Sequence, residues 1–181
     1  MPLYRMTPDP TPKGTYRWDR IEYLRDGPDE FHIPQTLLHP GPKADGWRPL
    51  RVRVQRRRAT GDFLFLADAW AAVNPRAWAA VRDVVGSSVE ALPLEVESGE
   101  ELLLLNVLDR VPLSEEAGVS RNFASGHLSW VYRFAFREED VAGKVIFKAC
   151  EFEIGPCLVA PAFRAAVESA GLRGVAFRDL N

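Results

Sequence analysis

Apolar and polar residues alternate along much of the chain, and this pattern predicts a protein made mainly of β-strands. In 50–55, three apolar residues alternate with Arg51, Arg53 and Gln55, as in a half-buried strand with a basic outer face. In 128–136 an aromatic stripe alternates with small and polar residues. At strand spacing such a stripe favours a core face, although a ligand platform is an alternative. The stripe consists of Leu128, Trp130, Tyr132, Phe134 and Phe136.

Other apolar runs extend the β prediction. The run 62–68 is short and continuously apolar, as in a buried strand or an extended connector. The segment 89–108 reads as a β-hairpin, in which Pro93 indicates an edge strand and 102–108 a central one. The segment 109–126 is polar and predicts a loop. Near the C-terminus, short strands are predicted at 145–147, 152–154 and 175–180.

Two segments carry helical rather than strand spacing. In 75–85 apolar residues lie on one helical face, after Asn74 as a cap and Pro75 in the first turn. In 161–170 apolar residues recur at spacings of three and four, between Pro161 and a terminating Gly171. We therefore expect an α+β fold, a mostly antiparallel sheet with two main helices at about 75–85 and 161–170.

The domain organisation follows from length and from proline content. A chain of 181 residues is long enough for one domain with a substantial core, so we expect a single domain, 1–181. Residues 1–48 are punctuated by prolines, which disfavour long regular elements. They predict a loop-rich lobe packed on an α+β core formed by 49–181.

Charge singles out one stretch of the chain. The net charge is −2, but 90–116 holds eight acids and one base, Arg110. A solvated face is the ordinary interpretation of such a stretch, and an acidic docking surface for a basic partner is the functional one. The candidate partner-binding residues are Glu95, Glu97, Glu100, Glu101, Glu115 and Glu116.

The sequence offers little support for cofactors, membranes or a secretory route. The two cysteines, Cys150 and Cys157, match no zinc spacing, and we expect no metal and no other cofactor. The N-terminus has no apolar signal core and no run is long enough to span a membrane. We therefore expect a cytoplasmic protein without a membrane partner.

Enzymatic and nucleic-acid-binding alternatives rest on few residues. The chain has no phosphate-binding glycine loop and no nucleophile elbow, although His127 with Cys150 or Cys157 could form a dyad. A small enzyme or ligand-binding domain, with a cleft between the N-terminal lobe and the sheet, is the alternative function. Arg51, Arg53 and 56–58 suggest nucleic-acid binding, but no aromatic residues are interleaved with them, so we expect no nucleic-acid partner.

Several short motifs, taken in order, resemble a bacterial family. The chain is similar to immunity protein family eleven of polymorphic toxin systems, over about 62 to the C-terminus. Ala160 departs from the pattern, since a capping serine is common there. The residues that carry the likeness are Asp62-Phe63, 89–94, 105–107, 144–148 and 171–177.

This resemblance implies a mostly β, α+β domain that binds and neutralises a cognate toxin inside the bacterial cell. The toxins of such systems are often nucleases, whose basic grooves would suit an acidic inhibitor. The family contributes no catalytic residues. We therefore expect a non-enzymatic toxin inhibitor.

Overall fold

The fold was analysed in a computed structural model that describes residues 2–9, 20–24, 35–55, 61–67 and 69–180. It combines a closed β-barrel, a second sheet, a two-stranded hairpin and helices packed between them. Most strand pairs are antiparallel, so the predicted α+β class is confirmed.

The barrel has six strands in the order β2-β3-β6-β7-β5-β4. Closure depends on two parallel pairs, β2 with β4 and β3 with β6, which join segments that are distant in sequence. The strands are β2 (Arg20–Tyr23), β3 (Leu50–Gln55), β4 (Phe63–Leu66), β5 (Trp70–Val73), β6 (Val89–Val96) and β7 (Leu103–Val107).

The second sheet has five strands in the order β13-β1-β12-β11-β8, and β9 and β10 form a separate antiparallel hairpin. In this sheet an N-terminal strand lies between two strands from the C-terminal part of the chain. The strands are β1 (Tyr4–Pro8), β8 (Arg110–Val111), β9 (Gly118–Arg121), β10 (Leu128–Arg133), β11 (Ile146–Ala149), β12 (Leu158–Val159) and β13 (Val175–Asp179).

Both predicted main helices are present, as α2 (Pro75–Val85) and α4 (Pro161–Ser169). Asn74 caps α2 by accepting the Ala77 backbone N–H at 2.8 Å. After α4, Gly171 adopts a left-handed conformation (φ 58°), and the Leu172 N–H donates back to the Val167 carbonyl at 3.1 Å. Ala160 gives α4 no side-chain cap, as the sequence predicted. Two one-turn helices, α1 (Gln35–Leu38) and α3 (Glu138–Val141), were not predicted.

Alternation along the barrel strands separates two hydrophobic clusters. Leu64 and Leu66 of β4 point into the barrel, where they meet apolar residues of β5, β6 and β7. Phe63 and Phe65 point outward, to a second cluster shared with α2, α4 and the second sheet. Because β4 is covered on both faces, its sequence is continuously apolar, which confirms the buried strand predicted at 62–68.

Several local predictions are wrong in instructive ways. Pro93 does not mark an edge strand, because β6 has a neighbouring strand on each side. The register of β6 with β7 extends to Pro93, and its register with β3 begins at Leu94. The proline therefore lies just before the residues that pair with β3. The predicted loop at 109–126 contains β8 and β9. Residues 152–154 form turns rather than a strand.

The N-terminal region contributes more to the sheets than its prolines predicted. The described part of 1–48 includes β1 in the second sheet and β2 in the barrel wall. Residues 10–19 and 25–34 of this region lie outside the described residues. The cleft proposed between this region and the sheet would involve segments that also lie outside them.

One carboxylate, that of Asp62, connects the barrel to both main helices. Its side chain is almost completely buried (6% exposed) and accepts hydrogen bonds from Asn74 Nδ2 at 3.0 Å and from the Arg173 backbone N–H at 2.9 Å. Arg76 completes the set by donating to both carboxylate oxygens at 3.0 Å. Asp62 therefore holds together the start of β4, the N-terminus of α2 and the turn that follows α4.

These partners keep the carboxylate ionised. Burial alone would raise the pKa of Asp62, but the Arg173 N–H, Asn74 and Arg76 outweigh this effect and hold the pKa below its usual value. The same turn is closely packed, since a Cβ at Gly174 would lie 2.3 Å from the Phe63 carbonyl oxygen. The resemblance motifs Asp62-Phe63 and 171–177 thus meet at one structural junction.

We expect Asp62→Asn to lower the free energy of unfolding at pH 7 by about 2–3 kcal/mol, because charged hydrogen bonds are replaced by fewer neutral ones. Since the folded pKa is lowered, the stabilisation is present above the unfolded pKa of about 3.9 and is lost as the pH falls further. Urea unfolding should show that the difference in the free energy of unfolding between wild type and variant is smaller at pH 3 than at pH 7. Asp83→Asn, on an exposed carboxylate of α2, is the control and should change little. A gap that is constant with pH would contradict this role.

Candidate protein-interaction surface

The most exposed large apolar side chains in the described ranges are concentrated on the β9–β10 hairpin. Phe123 in its turn is fully exposed, and Trp130 and Tyr132 on β10 are 55% and 70% exposed. We call residues 118–133 the aromatic hairpin. The prediction that the aromatic stripe forms a core face is therefore wrong for its two central members.

The error has a definite cause in the register of the hairpin. Between Leu128 and Trp130, and again between Val131 and Arg133, β10 has one residue more than β9. Each extra residue shifts the phase of alternation, so the side chains that pack inward are Leu128, Val131 and Phe134, at a spacing of three. The alternation in the sequence is real, but the bulges turn Trp130 and Tyr132 outward.

Two of the exposed rings, those of Tyr132 and Trp130, are held in place by contacts within the protein. The Tyr132 ring lies against Gly118, where an added Cβ would come within 2.4 Å of it, and its hydroxyl donates to the Val119 carbonyl at 3.0 Å. Trp130 packs edge-on against Phe152, with ring centroids 6.1 Å apart. Rings that are fixed before binding lose less conformational entropy in a complex.

The base of the aromatic hairpin is anchored to the rest of the protein. Val131 is buried in a cluster with Ala149 and Phe152. Arg121 forms an ion pair with Glu151 at 3.0 Å, and the Ser114 N–H donates to the Ala135 carbonyl at 2.8 Å. The hairpin therefore presents its aromatic side chains from a fixed position.

The predicted acidic surface is divided and partly neutralised. On the outer face of the barrel, Glu95 pairs with Arg51 at 3.4 Å and Glu97 with Arg53 at 2.7 Å. Glu100 accepts a hydrogen bond from Ser98 at 3.1 Å. The basic outer face predicted for β3 is confirmed, but neighbouring glutamates of β6 balance it. A charge pattern read along one strand cannot reveal the opposite charges of the strand beside it.

Two other acids of the 90–116 stretch have structural roles. Glu90 accepts the backbone N–H groups of Lys43 and Ala44 and the Asn106 amide, at 2.7, 3.2 and 2.8 Å. Asp109 accepts from Lys144 at 2.8 Å. Burial would raise the pKa of each carboxyl, but these donors lower both overall.

The remaining candidate acids lie in two places. Glu101 follows the turn of the β6–β7 hairpin, whereas Glu115 and Glu116 are exposed in the loop that leads into β9. The Glu116 backbone carbonyl accepts a hydrogen bond from the Arg133 guanidinium, so this loop is attached to the aromatic hairpin. Two of the six candidate glutamates therefore flank the exposed aromatics, and four lie on the barrel.

The residues considered for catalysis lie in different surroundings. His127 is exposed in the turn region of the aromatic hairpin, whereas Cys157 is buried in the cluster between barrel and sheet. Burial raises the pKa of the Cys150 and Cys157 thiols, which disfavours the nucleophilic thiolate. Within the described ranges, no three His, Cys, Asp or Glu side chains come together as a metal site. The arginines at 56–58 lie outside those ranges.

A buried lysine, Lys148, was not singled out by the sequence. It is 2% exposed, donates to the Glu153 carbonyl at 2.6 Å and lies 4.6 Å from the centroid of the Trp70 ring. Burial lowers its pKa by disfavouring the charged form. The cation–π contact and the hydrogen bond give the ammonium group a structural role between the barrel and the second sheet.

No protein-family model matches this chain, and no curated protein matches it. The likeness to the immunity family therefore rests on the short motifs in the sequence. None of the helices in the described ranges has the length and apolar character needed to cross a membrane.

The geometry of the aromatic hairpin predicts an NMR signature. Because the Tyr132 ring lies on Gly118, at least one Gly118 Hα resonance should be shifted strongly upfield. Tyr132→Leu should abolish this shift, and Tyr132→Phe should retain it. Gly118→Ala should displace the ring, since the new Cβ would overlap it. An unshifted Gly118 resonance in the wild type would show that the ring is not held there.

Proposed function

We propose that this protein is an immunity protein that binds a cognate toxin in the cytoplasm of the producing bacterium, using the aromatic hairpin as its main contact. The observation that carries the proposal is the exposure of three aromatic side chains on one anchored hairpin. The resemblance of the short motifs to the immunity family supports a toxin as the partner. The protein acts by occupying the toxin and needs no catalytic group of its own.

Tryptophan and tyrosine are the residues that most often dominate the energy of a protein–protein interface. Each combines a large apolar area with a polar group that stays satisfied after burial. In the aromatic hairpin, the Tyr132 hydroxyl already has a partner in Val119, so burial of its ring leaves no unsatisfied donor. Trp130, with about half of its surface exposed, offers apolar area that a partner could cover.

Electrostatics distinguishes this contact from the acidic surface expected from the sequence. The aromatic hairpin and its surroundings carry both arginines and glutamates, so neither positive nor negative charge dominates. These residues are Arg121, Arg133, Glu115, Glu116 and Glu151. Binding through the hairpin should therefore depend mainly on apolar burial and change little with ionic strength. Binding through the glutamates would weaken steeply as salt is added.

The test is co-expression with the toxin-like protein encoded beside this chain, scored by survival and by co-purification. Trp130→Ala and Tyr132→Ala should each weaken the complex by roughly 30-fold or more, as expected at an interface hot spot. Trp130→Phe and Tyr132→Phe, which keep an aromatic ring, should retain most of the affinity. Arg82→Ala, an exposed change on α2, serves as the surface control.

A second set of variants tests the acidic residues separately. Reversing Glu101, Glu115 and Glu116 to lysine should leave the affinity and its salt dependence nearly unchanged if the aromatic hairpin is the main contact. If this variant lost most of its affinity for the toxin while the Trp130→Ala and Tyr132→Ala variants kept theirs, the glutamates rather than the aromatic hairpin would form the main contact. If the neighbouring protein is harmless or kills regardless, and does not co-purify, the immunity assignment is wrong.

A further inference from the structure

Two arginines face each other directly in the second sheet. β1 and β13 are antiparallel, and Arg5 of β1 is the register partner of Arg178 of β13. Directly opposite residues of an antiparallel pair project from the same face, with their Cβ atoms about 4.5–5.5 Å apart. We call Arg5 and Arg178 the arginine pair.

The face that carries the arginine pair is set by its neighbours. Tyr4 and Phe177, each one residue away, pack against the cluster shared with α4. By alternation, Arg5 and Arg178 project from the opposite face of the sheet, which also carries Leu158, the partner of Arg5 on β12. Asp179 is adjacent to Arg178 in sequence, but it belongs to the Tyr4 face.

The charges of this pair are not balanced by the part of the chain that the structure describes. Neither arginine forms an ion pair with a carboxylate among the described residues. Like charges placed directly opposite each other are unfavourable. In addition, Arg5 Nε is buried and has no hydrogen-bond acceptor in the described structure. Native proteins rarely leave such a donor unsatisfied unless an ion or water supplies the acceptor.

We propose that the arginine pair binds a phosphate group, either the free ion or a monoester. A phosphate dianion would balance both guanidinium charges, whereas a carboxylate would balance one. Guanidinium groups bind phosphate oxygens through paired N–H donors. Arg5 is half-buried, with its Nε shielded from solvent, and exposed Arg178 gives access from solvent. This site is independent of the aromatic hairpin and of the proposed toxin inhibition.

Thermal unfolding with added sodium phosphate, at ionic strength matched with sodium chloride, tests the site. Phosphate that binds the folded state should raise the melting temperature of the wild type progressively with concentration. Because phosphate also stabilises proteins generally by exclusion, the informative quantity is the difference between variants. Arg178→Gln should remove the specific increment, whereas Arg82→Gln, the same change at an exposed arginine of α2, should retain it.

Direct titration identifies the ligand class. In 15N NMR spectra the Arg5 Nε–H signal should shift as inorganic phosphate or glycerol phosphate is added, and Arg178→Gln should weaken this binding by about tenfold or more. Acetate at the same ionic strength should bind more weakly than phosphate. If acetate bound as tightly as phosphate, the assignment of phosphate as the ligand would be overturned. If phosphate raised the melting temperatures of the Arg178→Gln and Arg82→Gln variants equally, the assignment of the site to Arg178 would be overturned.

A charge reversal tests the arginine pair without any ligand. Arg178→Glu would place a carboxylate opposite Arg5, so it should raise the melting temperature in chloride buffer and make it insensitive to phosphate. Arg82→Glu is the matched control and should give neither effect. A destabilised Arg178→Glu protein would show that the side chain of residue 178 does not lie close enough to Arg5 to interact with it, and would overturn the site.

Discussion

The placement of the two sheets depends on how one buried carboxylate is satisfied. Asp62 directly precedes β4 of the barrel, yet its donors come from the start of α2 and from the turn that leads to β13 of the second sheet. A buried charge is tolerated only when such donors converge on it, so three distant segments have to meet in one geometry. Gly174 strengthens this constraint, since the backbone approach at Phe63 leaves no space for a side chain.

Elements specified by neighbouring residues could be predicted from the sequence. Asn74-Pro75 and Gly171 define helix ends through local backbone hydrogen bonds, and the β6–β7 hairpin follows from two apolar runs separated by a turn. Barrel closure could not be predicted in this way. Closure needs parallel pairing between β2 and β4 and between β3 and β6. The residue pattern within one strand does not indicate which distant strand it will pair with.

On the candidate surface, too, the sequence indicated which residues were unusual but not which neighbours the fold would bring beside them. The glutamates were singled out by density along the chain, but whether Glu95 and Glu97 are balanced depends on arginines of β3 that the fold brings beside them. The aromatic stripe was recognised correctly as a pattern, but two of its members, Trp130 and Tyr132, point to solvent rather than to the core. Two extra residues in β10, which no local composition signals, reverse the outward and inward positions.

The order of strands in the second sheet also has a consequence for biosynthesis. Along the chain β1 precedes the barrel strands, but its partners among the described residues, β12 and β13, follow those strands and are synthesised much later. At about 5–20 residues per second, β1 waits roughly ten to thirty seconds on the ribosome before its partners emerge. The barrel strands, which lie between residues 20 and 107, emerge well before then. A nascent chain would therefore complete the barrel while β1 is still unpaired, and Arg5 and Pro8 discourage pairing of this strand with other chains.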